Sequence, residues 1–218
     1  MLEWQLFLGL PETELRRVVA IARRRTFARS EVVFHRGDPA DTLHLIDKGR
    51  FAVRVTTQLG DTATIAVHGP GEAFGEMALV EAGSVSSTTV AALEPGETYA
   101  VHRGDFTRLR AQYPSVNDVL VRLLAERLRR ASEQLVEALF VPADKRVLRR
   151  LRELAALYGG EVIPLTQADI ASLAGTSRAT VNRVLRAEAR RGSVELRRGK
   201  TIVRDPADLA RRAGAAAL

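Results

Sequence analysis

The chain has 218 residues, 46% hydrophobic and 27% charged, a balance that suits a globular fold and excludes a disordered polymer. It contains no cysteine, which removes disulfides, thiolate metal sites, cysteine nucleophiles and cysteine-ligated iron–sulfur clusters, and fits a reducing cytoplasm. The net charge of +7 is unevenly placed: residues 1–140 carry 17 Lys+Arg against 18 Asp+Glu, whereas residues 141–218 carry 16 against 8. A basic module attached to a near-neutral one suits binding to a polyanion, with an arginine-rich solubilising surface as the alternative. Residues 1–7 lack the basic region of a signal peptide, and no apolar run approaches the length of a membrane span.

In chain order, residues 11–25 predict a short amphipathic helix, with Leu15, Val18, Val19 and Ala22 on one face and Pro11, Glu12 and Glu14 at its start. The period then changes. Residues 26–105 hold short β-branched runs at 32–34, 43–46, 51–55, 62–67, 88–90 and 98–101, punctuated by glycines. This spacing predicts a compact antiparallel barrel or jelly roll, with a hairpin turn at Leu59-Gly60-Asp61.

Residues 106–140 return to helix. Leu124, Leu128, Ala131, Leu135 and Ala138 recur at spacings of four and three, a heptad seam that Val121 and Asn117 extend backwards. Such a seam predicts pairing with a second copy; packing on the chain's own barrel is the alternative. Pro142 ends this helix and marks a hinge. A further helix runs from Ala143 to about Tyr158 and stops at Gly159-Gly160. The expected division is 1–114, 115–140 and 141–218, with a frayed C-terminal end.

The functional signal lies at residues 166–190. Thr166, with Asp169 three residues on, makes a capping-box start, and Gln167 sits beside it. Ile170, Leu173 and Ala174 form an apolar face, Ala171 is small enough for a close helix crossing, and Gly175 falls where the chain turns with positive φ. A second helix begins near Thr176 or Ser177 and buries Val181, Val184 and Leu185. That leaves Arg178, Thr180, Asn182, Arg183 and Arg186 facing outward. This is the pattern of a helix-turn-helix with reading side chains at the N-terminal end of its second helix. Thr166, Gln167, Ser177, Arg178, Thr180, Asn182, Arg183 and Arg186 are therefore candidate contacts to double-stranded DNA. Residues 194–203 read as two short strands around a Gly turn, a wing that places Arg197, Arg198 and Lys200 against phosphates.

These residues, with Gly71-Glu72-Ala73-Phe74-Gly75-Glu76-Met77-Ala78-Leu79, the opening at 6–12, Phe140 before the hinge and Gly199-Lys200-Thr201-Ile202-Val203, carry a resemblance over nearly the whole chain. The chain resembles the cyclic-AMP receptor protein/fumarate-nitrate regulator (Crp/Fnr) family of bacterial transcription factors. The resemblance implies an α+β protein with an N-terminal β-roll, a long dimerisation helix and a C-terminal winged helix-turn-helix. It also implies a homodimer on a near-palindromic operator, with RNA polymerase as partner and a cytoplasmic location. Gly75, Glu76, Met77, Ser86, Ser87 and Ser132 become candidates for an effector pocket, and a small molecule or nucleotide of unknown identity its candidate occupant.

The departures from the family matter. Where cyclic-AMP-responsive members place an Arg-Ser pair on the cyclic phosphate, this chain has Ser86-Ser87, and where they place Thr-Ser on the adenine it has Ala131-Ser132. Glu76, implied to hold a ribose hydroxyl, is kept; a structural turn is the other reading of Gly75-Glu76. The expectation is a regulator not controlled by cyclic AMP, with Arg54 or Arg130 as the arginines that could replace the missing charge. A cyclic-nucleotide-responsive regulator of the same family is the alternative. At the reading head Ala179 stands where members that read a TGTGA-type half-site commonly have Glu. A β-barrel metalloenzyme is the rival of another class, but His35, His44, His68 and His102 show no metal-ligand spacing, and no P-loop or dinucleotide fingerprint occurs.

Overall fold

The computed structural model describes residues 4, 11–56, 62–80 and 83–214. It forms two compact units, Met1–Leu128 and Arg129–Leu218. The first unit begins with α1 (Glu12–Ile21), which ends four residues before the sequence pattern predicts. Ala22 is extended, and Arg23–Phe27 forms β1. The reason is long-range: Arg23 pairs with Ala100 and Phe27 with Gly96 on a later strand, and those ladder bonds outweigh local helix preference.

The strands that follow are β2 (Val32–Phe34), β3 (Thr42–Lys48), β4 (Phe51–Thr56), β5 (Thr62–His68), β6 (Ala73–Phe74), β7 (Thr89–Ala92) and β8 (Gly96–His102), with the single-turn α2 (Met77–Val80) after β6. They form two four-stranded antiparallel sheets, ordered β1-β8-β3-β6 and β2-β7-β4-β5. The expected β-roll is therefore present. The predicted 88–90 run is shifted by one residue at its start, and β1, β6 and α2 lay outside the sequence reading. Leu59-Gly60-Asp61 and residues 6–10 lie outside the described residues.

The period of two in β3 explains two separate cores. Leu43 and Leu45 face a cluster with Trp4, Val18, Phe106, Val116 and Val119, while Ile46 joins Phe27, Phe51, Phe74 and Val90 between the sheets. Trp4 closes the first cluster by donating its indole N–H to the Ile46 carbonyl at 2.9 Å. The predicted 106–140 helix is two helices, α3 (Arg103–Gln112) and α4 (Ser115–Phe140). Tyr113 is extended because the ring of Pro114 disfavours helical angles before it.

In the second unit, Pro142 precedes α5 (Ala143–Tyr158), which ends on Gly159 in the left-handed conformation as the sequence implies. Then come β9 (Val162–Ile163), α6 (Gln167–Leu173), α7 (Arg178–Arg191), β10 (Val194–Arg197), β11 (Lys200–Val203) and α8 (Pro206–Ala213). Leu151, Ile163, Ile170, Leu185 and Leu209 are fully buried among these elements, each contributing about 1.5–3 kcal/mol through burial. The wing gains a third strand, in the order β10-β11-β9, and α8 closes the unit; neither β9 nor α8 was legible in the pattern. Glu188 of α7 is 1% exposed and is neutralised by Arg212 and Arg191.

Candidate nucleic-acid interface and effector cavity

The helix-turn-helix is built from local chemistry. The Thr166 hydroxyl accepts from the Asp169 amide at 3.1 Å, and the Asp169 carboxylate accepts from the Thr166 amide at 3.1 Å, which closes a capping box on α6. Gly175 turns the chain at φ +58°, a conformation that side chains disfavour. The Thr176 amide donates back to Ala171 at 2.9 Å, satisfying a carbonyl at the end of α6. Ser177 then caps α7 by accepting from the Thr180 amide at 3.2 Å. Ile170, Ala171, Ala174, Val181, Val184 and Leu185 are buried where the helices meet.

Along the opposite face of α7, Arg178, Ala179, Arg183 and Arg186 are exposed and Thr180 is half-buried. Asn182 departs from its expected outward position. It is half-buried, and its amide Nδ2 donates to Gln167 Oε1 at 3.1 Å, so these two candidates hold each other across the helix pair. Arg183 is exposed but paired. Its Nη1 and Nη2 donate to the two carboxylate oxygens of Asp144, at 2.9 and 2.5 Å. That partner was not foreseen.

A second residue missed by sequence reasoning is Arg146 on α5. Its guanidinium donates to the carbonyls of Val141 at 2.6 Å, Ala174 at 2.8 Å and Gly175 at 2.8 Å. One side chain thus ties the hinge to the turn between α6 and α7. Beside it, Glu137 near the end of α4 pairs with Arg149 at 2.8 Å and also with Arg150. These partners hold its carboxyl below the usual range against the opposing effect of burial.

In the wing, Arg197 pairs with Lys200 in the ladder, leaving Arg198 and Gly199 as the two-residue turn. Arg198 is exposed and Lys200 partly so. Arg197 is turned toward Glu195 at 2.5 Å, and Arg204 bonds the same carboxylate, so Glu195 titrates below its ordinary value. The free positive charge of the wing therefore resides on Arg198 and Lys200 more than on Arg197.

The β-roll encloses a cavity of about 490 Å³. Gly75, Glu76, Met77, Ser86 and Ser87 line it, while Ser132 is exposed on α4 and is not among the lining residues. Gly75 has φ +84°, and a Cβ there would stand 2.6 Å from the Thr42 carbonyl oxygen, so the turn requires glycine. Neither Arg54 nor Arg130 contributes to the wall; Arg25 and Arg127 do. The Arg127 guanidinium donates to the Ala73 carbonyl at 2.5 Å and lies 3.5 Å from Glu76 Oε1, which offsets its charge. Phe34, Phe74 and His44 supply an aromatic wall. His44 is buried, its ring stacked on Phe74 at a centroid distance of 4.9 Å. Burial, with a smaller push from Arg25, lowers its pKa to about 3, so the imidazole is neutral near pH 7.

On α4 the seam residues Val121, Leu128 and Leu135 are 63%, 70% and 61% exposed, and Ala131 and Ala138 are exposed as well. Leu124 behaves differently. It is half-buried against the core of its own β-roll, so at this one position packing within the chain takes hold. Leu139, at 67% exposure and one turn beyond Leu135, extends the apolar strip past the predicted seam, while Phe140, 77% exposed, lies on another face of the helix. No helix among the described residues is long and apolar enough to cross a membrane.

Comparison with known proteins matches residues 24–113 to the cyclic nucleotide-binding domain and residues 145–212 to the Crp-like helix-turn-helix domain. The chain is 37% identical over 202 residues to the cyclic AMP receptor protein of Thermus thermophilus, covering 93% of each. It is 29% identical over 215 residues to the CRP-like cAMP-activated global transcriptional regulator of Mycobacterium tuberculosis, covering 95% of this chain and 96% of that one. Among solved structures, the Thermus thermophilus catabolite activator protein is 36% identical, with a TM-score of 0.56 and coverage of 95% and 97%. FixK2 from Bradyrhizobium japonicum shares the fold at 21% identity, with a TM-score of 0.76 and coverage of 90% and 100%.

Proposed function

Because the chain belongs to the Crp-like family of DNA-binding transcription regulators, we propose that it acts as a homodimer on a near-palindromic operator, with the N-terminal part of α7 from each copy in a major groove. The observation that carries this reading is the exposed face of α7, where Arg178, Arg183 and Arg186 project from a helix that is capped and buried on its other side. Arg178 and Arg183 read base edges. Arg186, Arg198 and Lys200 neutralise phosphates, and Thr166, Ser177 and Thr180 supply hydrogen bonds to the backbone. Asn182 and Gln167 act together through their mutual hydrogen bond. The exposed strip of α4 is the dimer interface, RNA polymerase is the partner that the family implies, and the work is done in the cytoplasm rather than as an enzyme. The working division of the chain is a β-roll over 1–114, the dimerisation helix over 115–140 and the DNA-binding domain over 141–218. Selection of duplexes from a random library tests the reading: it should return two inverted half-sites about one helical turn apart, and an unstructured mixture of sequences would refute it.

The names of two relatives contain cyclic AMP. For this chain we favour a different or absent effector. A phosphodiester buried in the cavity needs an uncompensated cation. Ser86 brings none, its amide is already donated to the Asp38 carbonyl at 2.8 Å, and the charge of Arg127 is offset by Glu76. The cyclic-nucleotide-responsive reading is supported by one observation, the presence of Arg25 and Arg127 in the wall.

A further inference from the structure

Arg183 is bound end-on by a carboxylate 39 positions earlier in the chain. Asp144 is the second residue of α5, and the two side chains are 49% and 65% exposed. Arg178 and Arg186, on the same exposed face of α7, have no acidic partner among the described residues. The two contacts use two of the five guanidinium N–H groups, which leaves the Nε–H and one hydrogen on each Nη for another acceptor. The pair as a whole has no net charge. It therefore retains directional donors while losing most of its attraction for an anion. A phosphate approaching Arg183 meets the Asp144 carboxylate as well, and like charges repel. The O6 and N7 of guanine are neutral acceptors and carry no such penalty.

We propose that Asp144 is a specificity-determining residue, which converts Arg183 from a phosphate-binding cation into a reader of base edges by holding its guanidinium in a neutral pair. The inference rests on the reading of Arg183 as a base contact given above. Its effect is on discrimination: Asp144 suppresses binding to random sequence more than binding to the operator.

The test uses the full chain with a selected operator and a random duplex of equal length. Asp144→Asn, Arg183→Ala and the double variant are titrated across a range of salt, with thermal melts to confirm that each is folded. Asp144→Asn should tighten random-DNA binding about two- to fivefold, the size expected for an exposed ion pair, and steepen its salt dependence by about one phosphate. Operator binding should gain less, so the ratio of specific to random affinity falls. In the Arg183→Ala background most of that gain should vanish. An equal gain in both backgrounds, or a gain on the operator as large as on random DNA, would overturn the proposal, as would a weaker operator complex with random binding unchanged. If Arg183→Ala by itself leaves operator preference intact, the base-reading role fails instead, and the two failures are distinguishable.

Discussion

Asn182 on α7 donates its side-chain amide to Gln167 at the start of α6, 3.1 Å away, and so joins the two helices of the helix-turn-helix at their exposed edge. The bond is part-buried, so losing it strands the Gln167 oxygen as well. Asn182→Ala should lower stability by about 1 kcal/mol, and Gln167→Ala in that background should add little. Urea midpoints for the two single variants and the double variant give the coupling; strictly additive losses would show that the pair does not act as a unit.

Arg183 and Lys200 should separate into different roles. Arg183→Ala should weaken the operator complex about 10- to 100-fold and relax one base position. Lys200→Ala should weaken operator and random DNA alike and reduce the salt slope by about one. Binding isotherms on both duplexes at several salt concentrations check this, and equal losses for both variants on random DNA would contradict the assignment.

The exposed strip on α4 predicts the oligomeric state. Leu128 and Leu135 are 70% and 61% exposed in the single chain, too apolar a surface to leave in water along a helix of this length. Replacing both by Lys should give a monomer by sedimentation velocity, with operator affinity falling far more than the random-DNA affinity. A double variant that still sediments as a dimer would move the interface elsewhere.

His44 makes the β-roll acid-sensitive. In the unfolded chain it protonates near its ordinary pKa of 6.5, whereas in the fold it stays neutral down to about 3. The unfolded state therefore binds more protons between those values, and stability falls as pH drops through 6.5 toward 3. From pH 7 to pH 4.5 the loss from this residue should reach up to about 3 kcal/mol. His44→Phe should flatten that slope in urea titrations at the two pH values. An unchanged slope would mean that other groups set the acid limit.

Cyclic AMP should bind weakly and change operator affinity little. Ser86→Arg adds a cation to the cavity wall and should raise nucleotide affinity, as calorimetry would show. Tight binding by the unaltered protein, together with a large gain in operator affinity, would instead favour Arg127 and Arg25 as sufficient partners.

Several features of this protein are set by chemistry within a few residues, and those were legible in the chain. The Thr166–Asp169 capping box, the left-handed Gly175, the end of α5 at Gly159 and the break at Pro142 follow in turn from two side chains exchanging bonds with nearby amides, two glycines that lack a Cβ, and one proline ring. The charge imbalance and the period change near residue 26 likewise set out a β-roll and a basic helical domain. What depends on partners far along the chain was not legible. Arg23–Arg25 reads as the end of a helix until β8 pairs with it, and Leu124 reads as seam until the β-roll covers half of it. Arg127 carries no assigned role in the sequence, and only the fold sets it against Glu76 and the Ala73 carbonyl in the cavity wall. Arg183 reads as a free cation until α5 brings Asp144 against it. A side chain's type is written in the sequence, but its net charge and availability depend on which groups the fold sets beside it.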